Sequence, residues 1–247
     1  MDVGGAARHT LASGSARVWR CTFAEPAPPP ERSSTRYAEG VADLANVRVR
    51  TREKAPPVWD DREDDDDPDG EMIKVHAGTA AWVSLGDCWI ALAKGTGNPH
   101  AGRRGHGDPL WILEALTVVG EAAPRADEAE LVRGEPCRRV PFEIDLRTAG
   151  AHLDEARMRA LSDRISGDAW IDDEHRVRRV TWKRPYRQRP RSPLKLPPVT
   201  IWRTVELWDF GVPVQIELPT PSPPEPGPSP RDVVAGIGAL WRRRQSA

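Results

Sequence analysis

The sequence predicts an α+β fold built on one large antiparallel sheet, and two observations carry this. About ten or eleven short segments alternate apolar with polar residues between turn residues, and only two helical patterns interrupt them. The last of these segments, residues 202–219 (WRTVELWDFGVPVQIELP), reads as a hairpin turning at Phe210-Gly211. Its second arm places Val212, Val214, Ile216 and Leu218 on one face and Pro213, Gln215, Glu217 and Pro219 on the other. A strand of that kind buries one side and wets the other.

Taken in order, residues 10–24 form a first strand, with Val18 opposite Trp19, Cys21 and Phe23, followed by a proline-rich loop over 25–34. A second strand falls in 40–50, where Val47 and Val49 alternate with Arg48 and Arg50. Residues 72–92 read as a tight meander: MIKVH, a turn at Ala77-Gly78-Thr79, AAWVSL, a turn at Gly86-Asp87, then CWIAL. Residues 108–119 predict a helix with Asp108 as N-cap and Pro109 in the first helical position. Leu110, Leu113 and Leu116 form its stripe, and Trp111 and Ile112 widen it. Strands over 128–133 and 137–146 meet at Gly134-Glu135-Pro136, and Phe142, Ile144 and Leu146 share one face of the second. A second helix is predicted over 154–165, with Met158, Leu161 and Ile165 on one side. The hairpin AWIDDEHRVRRVTW turns at Asp173-Glu174-His175, and a Pro/Arg-rich loop over 183–198 leads to the closing hairpin. Residues 1–219 are thus expected to form one domain and 220–228 a proline tether. The stretch 229–247 reads as an amphipathic helix with a basic tail, striped by Val233, Ile237, Leu240 and Trp241.

Composition narrows the function. The net charge of −1 argues against a generally basic nucleic-acid binder, so nucleic acid is not an expected partner. The charge is uneven: residues 60–71 hold nine acids against one base, and 175–203 is basic. Three widely spaced cysteines, Cys21, Cys88 and Cys137, suggest no disulfide framework and a reducing compartment. No run approaches the ~18 apolar residues of a spanning helix, and no apolar core follows a basic start at the N-terminus. The expected location is cytoplasmic; an in-frame apolar stretch upstream of Met1 would overturn that.

The known chemical motifs are incomplete. The run Asp65-Asp66-Asp67-Pro68-Asp69-Gly70 resembles half a calcium loop, but its twelfth position is His76 rather than a glutamate. His76, Cys88, His100 and His106 lack paired zinc spacing, Lys94-Gly95-Thr96-Gly97 runs in the wrong order for a phosphate loop, and Ser84 sits in a strand. The expectation is no enzyme, no metal and no cofactor.

The chain resembles the actinobacterial LppX/LprG-like proteins of the LolA-like superfamily. The resemblance runs through residues 10–219. Its marks are the strand at 11–23, MIKVHAGTAAWVSLGDCWIAL, DPLWILEAL, VRGEPCRRVPFEIDL, DEARMRALSDRI, AWIDDEHRVRRVTW and TVELWDFGVPVQIELP. It implies that the sheet curves into a half-barrel with helices on its concave face, a space that holds acyl chains in lipoprotein members. The signal peptide and lipobox of those members are not matched here. The reading that follows is non-enzymatic binding of a lipid or other apolar ligand, lined by Leu110, Trp111, Leu113, Leu116, Phe142, Ile144, Val212, Val214 and Ile216. The alternative is a protein-interaction or regulatory module whose core is self-filled, with the loop from Arg184 to Arg191 and the C-terminal helix as contacts.

Overall fold

The computed structural model describes residues 1–25, 35–54, 71–78, 80–85, 88–91, 108–124, 129–145, 162–186 and 198–220. The elements are α1 (Val3–Ala12), β1 (Ser15–Glu25), β2 (Arg36–Asp43), β3 (Arg48–Lys54), β4 (Glu71–Ala77), β5 (Ala80–Leu85) and β6 (Cys88–Ala91). They continue as α2 (Trp111–Leu116), β7 (Glu130–Val132), β8 (Glu135–Asp145), β9 (Arg164–Asp172), β10 (Val177–Tyr186) and β11 (Val199–Trp208). All eleven strands join one antiparallel sheet in the order β6-β5-β4-β3-β2-β1-β11-β10-β9-β8-β7. The first six step outward from β1, and the last five start at the far edge and step back until β11 pairs with β1. The fold is α+β, a curved half-barrel sheet with β6 and β7 at its edges.

Strand registers fix which residues share the concave face. One row across the sheet reads Val140, Ala169, Val180, Val205, Arg20, Ala38 and Glu53. The next reads Leu207, Val18, Gly40, Thr51, Lys74 and Val83. Apolar residues therefore line the β8–β11 half, and charge enters toward β3 and β4. Two glycines on this face sit where strands press together. A Cβ on Gly40 would lie 1.9 Å from the Arg50 carbonyl oxygen, and one on Gly167 would lie 2.0 Å from that of Thr181. Glycine at both places lets the sheet coil inward.

The helix α1 was not legible in the sequence, and it replaces the expected start of β1: Thr10–Ala12 are helical. Its stripe of Val3, Gly4, Ala6, Ala7 and Thr10 is buried but small, and Gly4-Gly5 is poor helix sequence. Tertiary packing holds it instead. Asp2 Oδ1 accepts the Gly5 N–H at 2.7 Å as an N-cap. Thr10 Oγ1 donates to the Ala6 carbonyl at 2.7 Å and accepts the Val177 N–H at 2.7 Å, tying the helix to β10.

Several expected elements change. The single strand expected over 40–50 is two, β2 and β3, folded about a turn in which Val47 adopts φ 50°. The helix expected over 108–119 is only α2. Asp108 does not cap it but accepts the Leu110 N–H at 2.8 Å, shaping the turn ahead of it. Arg164 and Ile165, expected to end a helix, begin β9; the rest of that predicted helix lies outside the described residues. Arg184, expected in a basic contact loop, is a buried β10 residue whose guanidinium donates to the Ser162 carbonyl at 3.1 and 3.3 Å. Residues 187–191 of that loop, most of the 220–228 tether and the C-terminal helix lie outside the described residues.

The largest change concerns the last hairpin. Its first arm is β11, but residues 212–219 form no strand. Both edges of β11 are already taken, by β1 and by β10, so no ladder position is left for a following strand. The chain instead turns through Asp209 (φ 49°) and Gly211 (φ 79°). The Gly211 N–H then donates to the Ser15 carbonyl at 2.9 Å, and Ser15 Oγ donates to the Val212 carbonyl. Val212 and Val214 are half-buried and Ile216 is buried, whereas Leu218 is 44% exposed.

Candidate functional site

The concave face is where α1, α2 and the sheet meet. Leu110 at the N-cap of α2, its Trp111, Ile112, Leu113 and Leu116, and Val3, Ala6 and Ala7 of α1 pack with Val18, Val140, Phe142, Ile144, Val180 and Leu207 in one continuous apolar cluster. A six-residue helix has too few internal hydrogen bonds to stand alone, so this burial is what forms α2. Trp111 and Trp182 meet edge to face, with ring centroids 5.8 Å apart, where α2 crosses β10.

Six of the nine residues expected to line a ligand groove are brought together here: Leu110, Trp111, Leu113, Leu116, Phe142 and Ile144. Leu110, Leu113 and Leu116 are 0% exposed. Val212, Val214 and Ile216 do not belong to that cluster; they lie on the unpaired segment after β11, so the expected row of strand side chains is not formed.

Sequence reasoning missed the polar half of the same face. Glu53, 1% exposed on β3, receives Arg20 Nη2 at 3.1 Å and the Lys74 ammonium, with Arg36 Nη1 at 3.9 Å from its other oxygen. Four strands, β1 to β4, supply these groups, and the registers set them side by side: Arg20 and Glu53 flank Ala38, and Lys74 pairs with Thr51. The signal was present. The alternation that turns Val49 inward continues to Thr51 and Glu53, so an acid was due at a buried position.

Burial alone would push the Glu53 carboxyl up, but Lys74, Arg20 and Arg36 together outweigh it and hold it below its ordinary value of 4.5. Burial pulls the Lys74 ammonium below its ordinary 10.5, against the pull of Glu53. At the other end of the sheet, a bulge between Val177 and Arg179 turns Arg178 toward Asp172, and its Nε donates at 2.7 Å. Burial opposes ionisation of Asp172 too. The Arg176 N–H and the Arg178 and Arg176 guanidinium groups overcome that and keep its carboxyl below 3.8.

A carboxyl held below its ordinary value stabilises the fold above that value and loses the contribution as pH falls through its folded value. Stability should therefore hold steady down to the ordinary carboxylate range and fall in acid below it. Urea midpoints measured from neutral pH into acid will show this, and Glu53→Gln should remove part of the acid dependence. A midpoint that rises in acid would contradict the assignment.

Two thiols are described: burial, with Asp172 nearby, pushes Cys137 up to about 11, and burial also raises Cys21, so both are held in the unreactive thiol form. Among the described residues, no group of three or more His, Cys, Asp and Glu could hold a metal ion, and no helix is long and apolar enough to cross a membrane.

No family model matches the chain, and no curated protein matches it in sequence. Among solved structures, the chain is similar to the crystal structure of LprF from Mycobacterium bovis. The sequence identity is 12%, the match covers 90% of this chain and 97% of that one, and the TM-score is 0.46.

Proposed function

We propose that the protein is a non-enzymatic binder of an apolar ligand, an acyl chain or similar lipid, held between the concave face and the elements laid on it. One observation carries the reading. Eleven strands make a sheet about 48 Å wide, yet the two described helices are only about 15 and 9 Å long. Apolar burial on that face nevertheless reaches beyond the helices' own length, to Val49 on β3 and Val83 on β5, with Thr51, Lys74 and His76 between them. Binding would rest on shape and desolvation, with no reacting group required. The buried Arg20–Glu53–Lys74 group would bound the apolar surface on one side.

A second reading is favoured by the burial of Leu110, Leu113 and Leu116: the core is self-filled and the protein acts as an interaction module. Native mass spectrometry of the purified protein, followed by organic extraction, separates the two. The carrier reading expects a co-purifying acyl lipid and a rise in Tm on adding fatty acids, because a ligand that binds only the folded state stabilises it. Protein that is lipid-free and shows no thermal shift across saturated and unsaturated fatty acids would leave the module reading standing.

A further inference from the structure

The opposite face of the sheet holds a groove of about 700 Å³ over β1, β2, β3 and β4. Its lining includes Trp19, Tyr37, Glu39, Arg17, Arg50 and Arg52. Trp19 and Tyr37 stack with centroids 6.0 Å apart and planes 30° apart, and Tyr37 is 53% exposed. On β3 the outward positions Arg48, Arg50 and Arg52 are all arginine. Arg52 stands across from Glu39, and Arg17 lies 3.3 Å from Asp209. Among the described residues no carboxylate pairs directly across from Arg50: its neighbours are Val41 on β2 and Val75 on β4, and it is exposed. An exposed aromatic ring and an arginine on an apolar floor therefore share one groove.

By strand spacing, Tyr37 and Arg50 are about 14 Å apart at Cα, since Arg50 pairs with Val41 and Tyr37 is four positions along β2.

We propose that this groove binds a nucleotide unit, with its base stacked on Tyr37 and its phosphate on Arg50. The unit is either free or part of a single strand. Stacking is tolerant of base identity, and a guanidinium offers a phosphate two parallel donors. The protein's overall charge of −1 does not oppose this, because a local cation governs local recognition. The site lies on the face opposite the proposed apolar ligand and does not depend on it.

The test uses the full-length protein and fluorescence anisotropy of a labelled single-stranded oligothymidylate. Competitors are thymidine monophosphate, a duplex of the same length, polyglutamate and phosphatidylglycerol vesicles. Binding of the single strand is expected. Arg50→Glu should weaken it by about tenfold or more, and Tyr37→Ala should weaken it severalfold. Arg164→Glu, a charge change elsewhere on the surface, should leave it unchanged. Loss of one phosphate contact should also reduce the slope of log affinity against log salt by about 0.7. Competition by the monophosphate at the strand's own affinity would identify a free nucleotide as the ligand; a large advantage for the strand would identify nucleic acid. Circular dichroism and Tm confirm that the variants, all at exposed positions, stay folded. The proposal is overturned if neither nucleotide probe binds at low salt. It also fails if Arg50→Glu and Arg164→Glu act equally, or if polyglutamate or vesicles compete as well as the strand does.

Discussion

Replacing Glu53 by alanine is expected to cost about 3–5 kcal/mol of folding stability, the range for removing one partner from a buried ion pair. The carboxylate is 1% exposed and is shared by Arg20 and Lys74, with Arg36 at the rim. Alanine would strand one buried and one half-buried cation, Arg20 and Lys74, whose burial already lowers the pKa of each. The sign should reverse when the group goes together. Glu53→Leu combined with Arg20→Met and Lys74→Met replaces the ions with apolar volume and should recover most of the loss. Urea denaturation of the single and triple variants measures both. A single variant as stable as the parent would mean that the network is solvated in solution.

Leu113→Ala should cost about 2–5 kcal/mol, through the lost transfer energy of the side chain and the cavity it leaves. Leu113 is fully buried at the middle of α2, and the helix exists only through that contact. The effect should appear as a lower urea midpoint with an unchanged slope, because the surface exposed on unfolding is nearly the same. Leu218→Ala is the comparison: that side chain is 44% exposed on the unpaired segment, and its loss should stay within about 0.5 kcal/mol. Equal losses at the two positions would show that α2 is not seated in the core.

The sequence exposed the sheet more readily than the helices. Strand alternation is a local signal: it marked the runs that become β4, β5 and β6, and in AWIDDEHRVRRVTW the turn falls between two runs that already point the right way. It also marked Leu110, Leu113, Phe142 and Ile144 as apolar, and these do meet. The failures are those of non-local causes. A Gly-Gly helix such as α1 is stable only against β10 and α2, which lie more than a hundred residues away. The arm 212–219 alternates like a strand, and only the identity of the neighbours of β11 shows that it has no partner. The charged half of the concave face was hidden differently. Glu53 reads as solvent-facing by type, and parity alone places it inside. The aromatic groove on the other face needed the registers of β1, β2 and β3 before Trp19, Tyr37 and Arg50 could be seen together.

The pairing of β1 with β11 has a consequence for how this chain comes into being. It forms the middle of the sheet, yet its partners sit at opposite ends of the sequence; the adjoining Ser15–Val212 hydrogen bond spans 197 positions. Joining such distant segments carries a large closure entropy, and domains dominated by such contacts fold slowly. During synthesis, β1 emerges first and must wait for nearly the whole chain before its second edge is covered. An early fragment carrying β1 to β6 therefore presents a bare inner edge to other chains, a template for mispairing. Chaperone demand in this protein should fall on the nascent N-terminal half and end when β11 arrives.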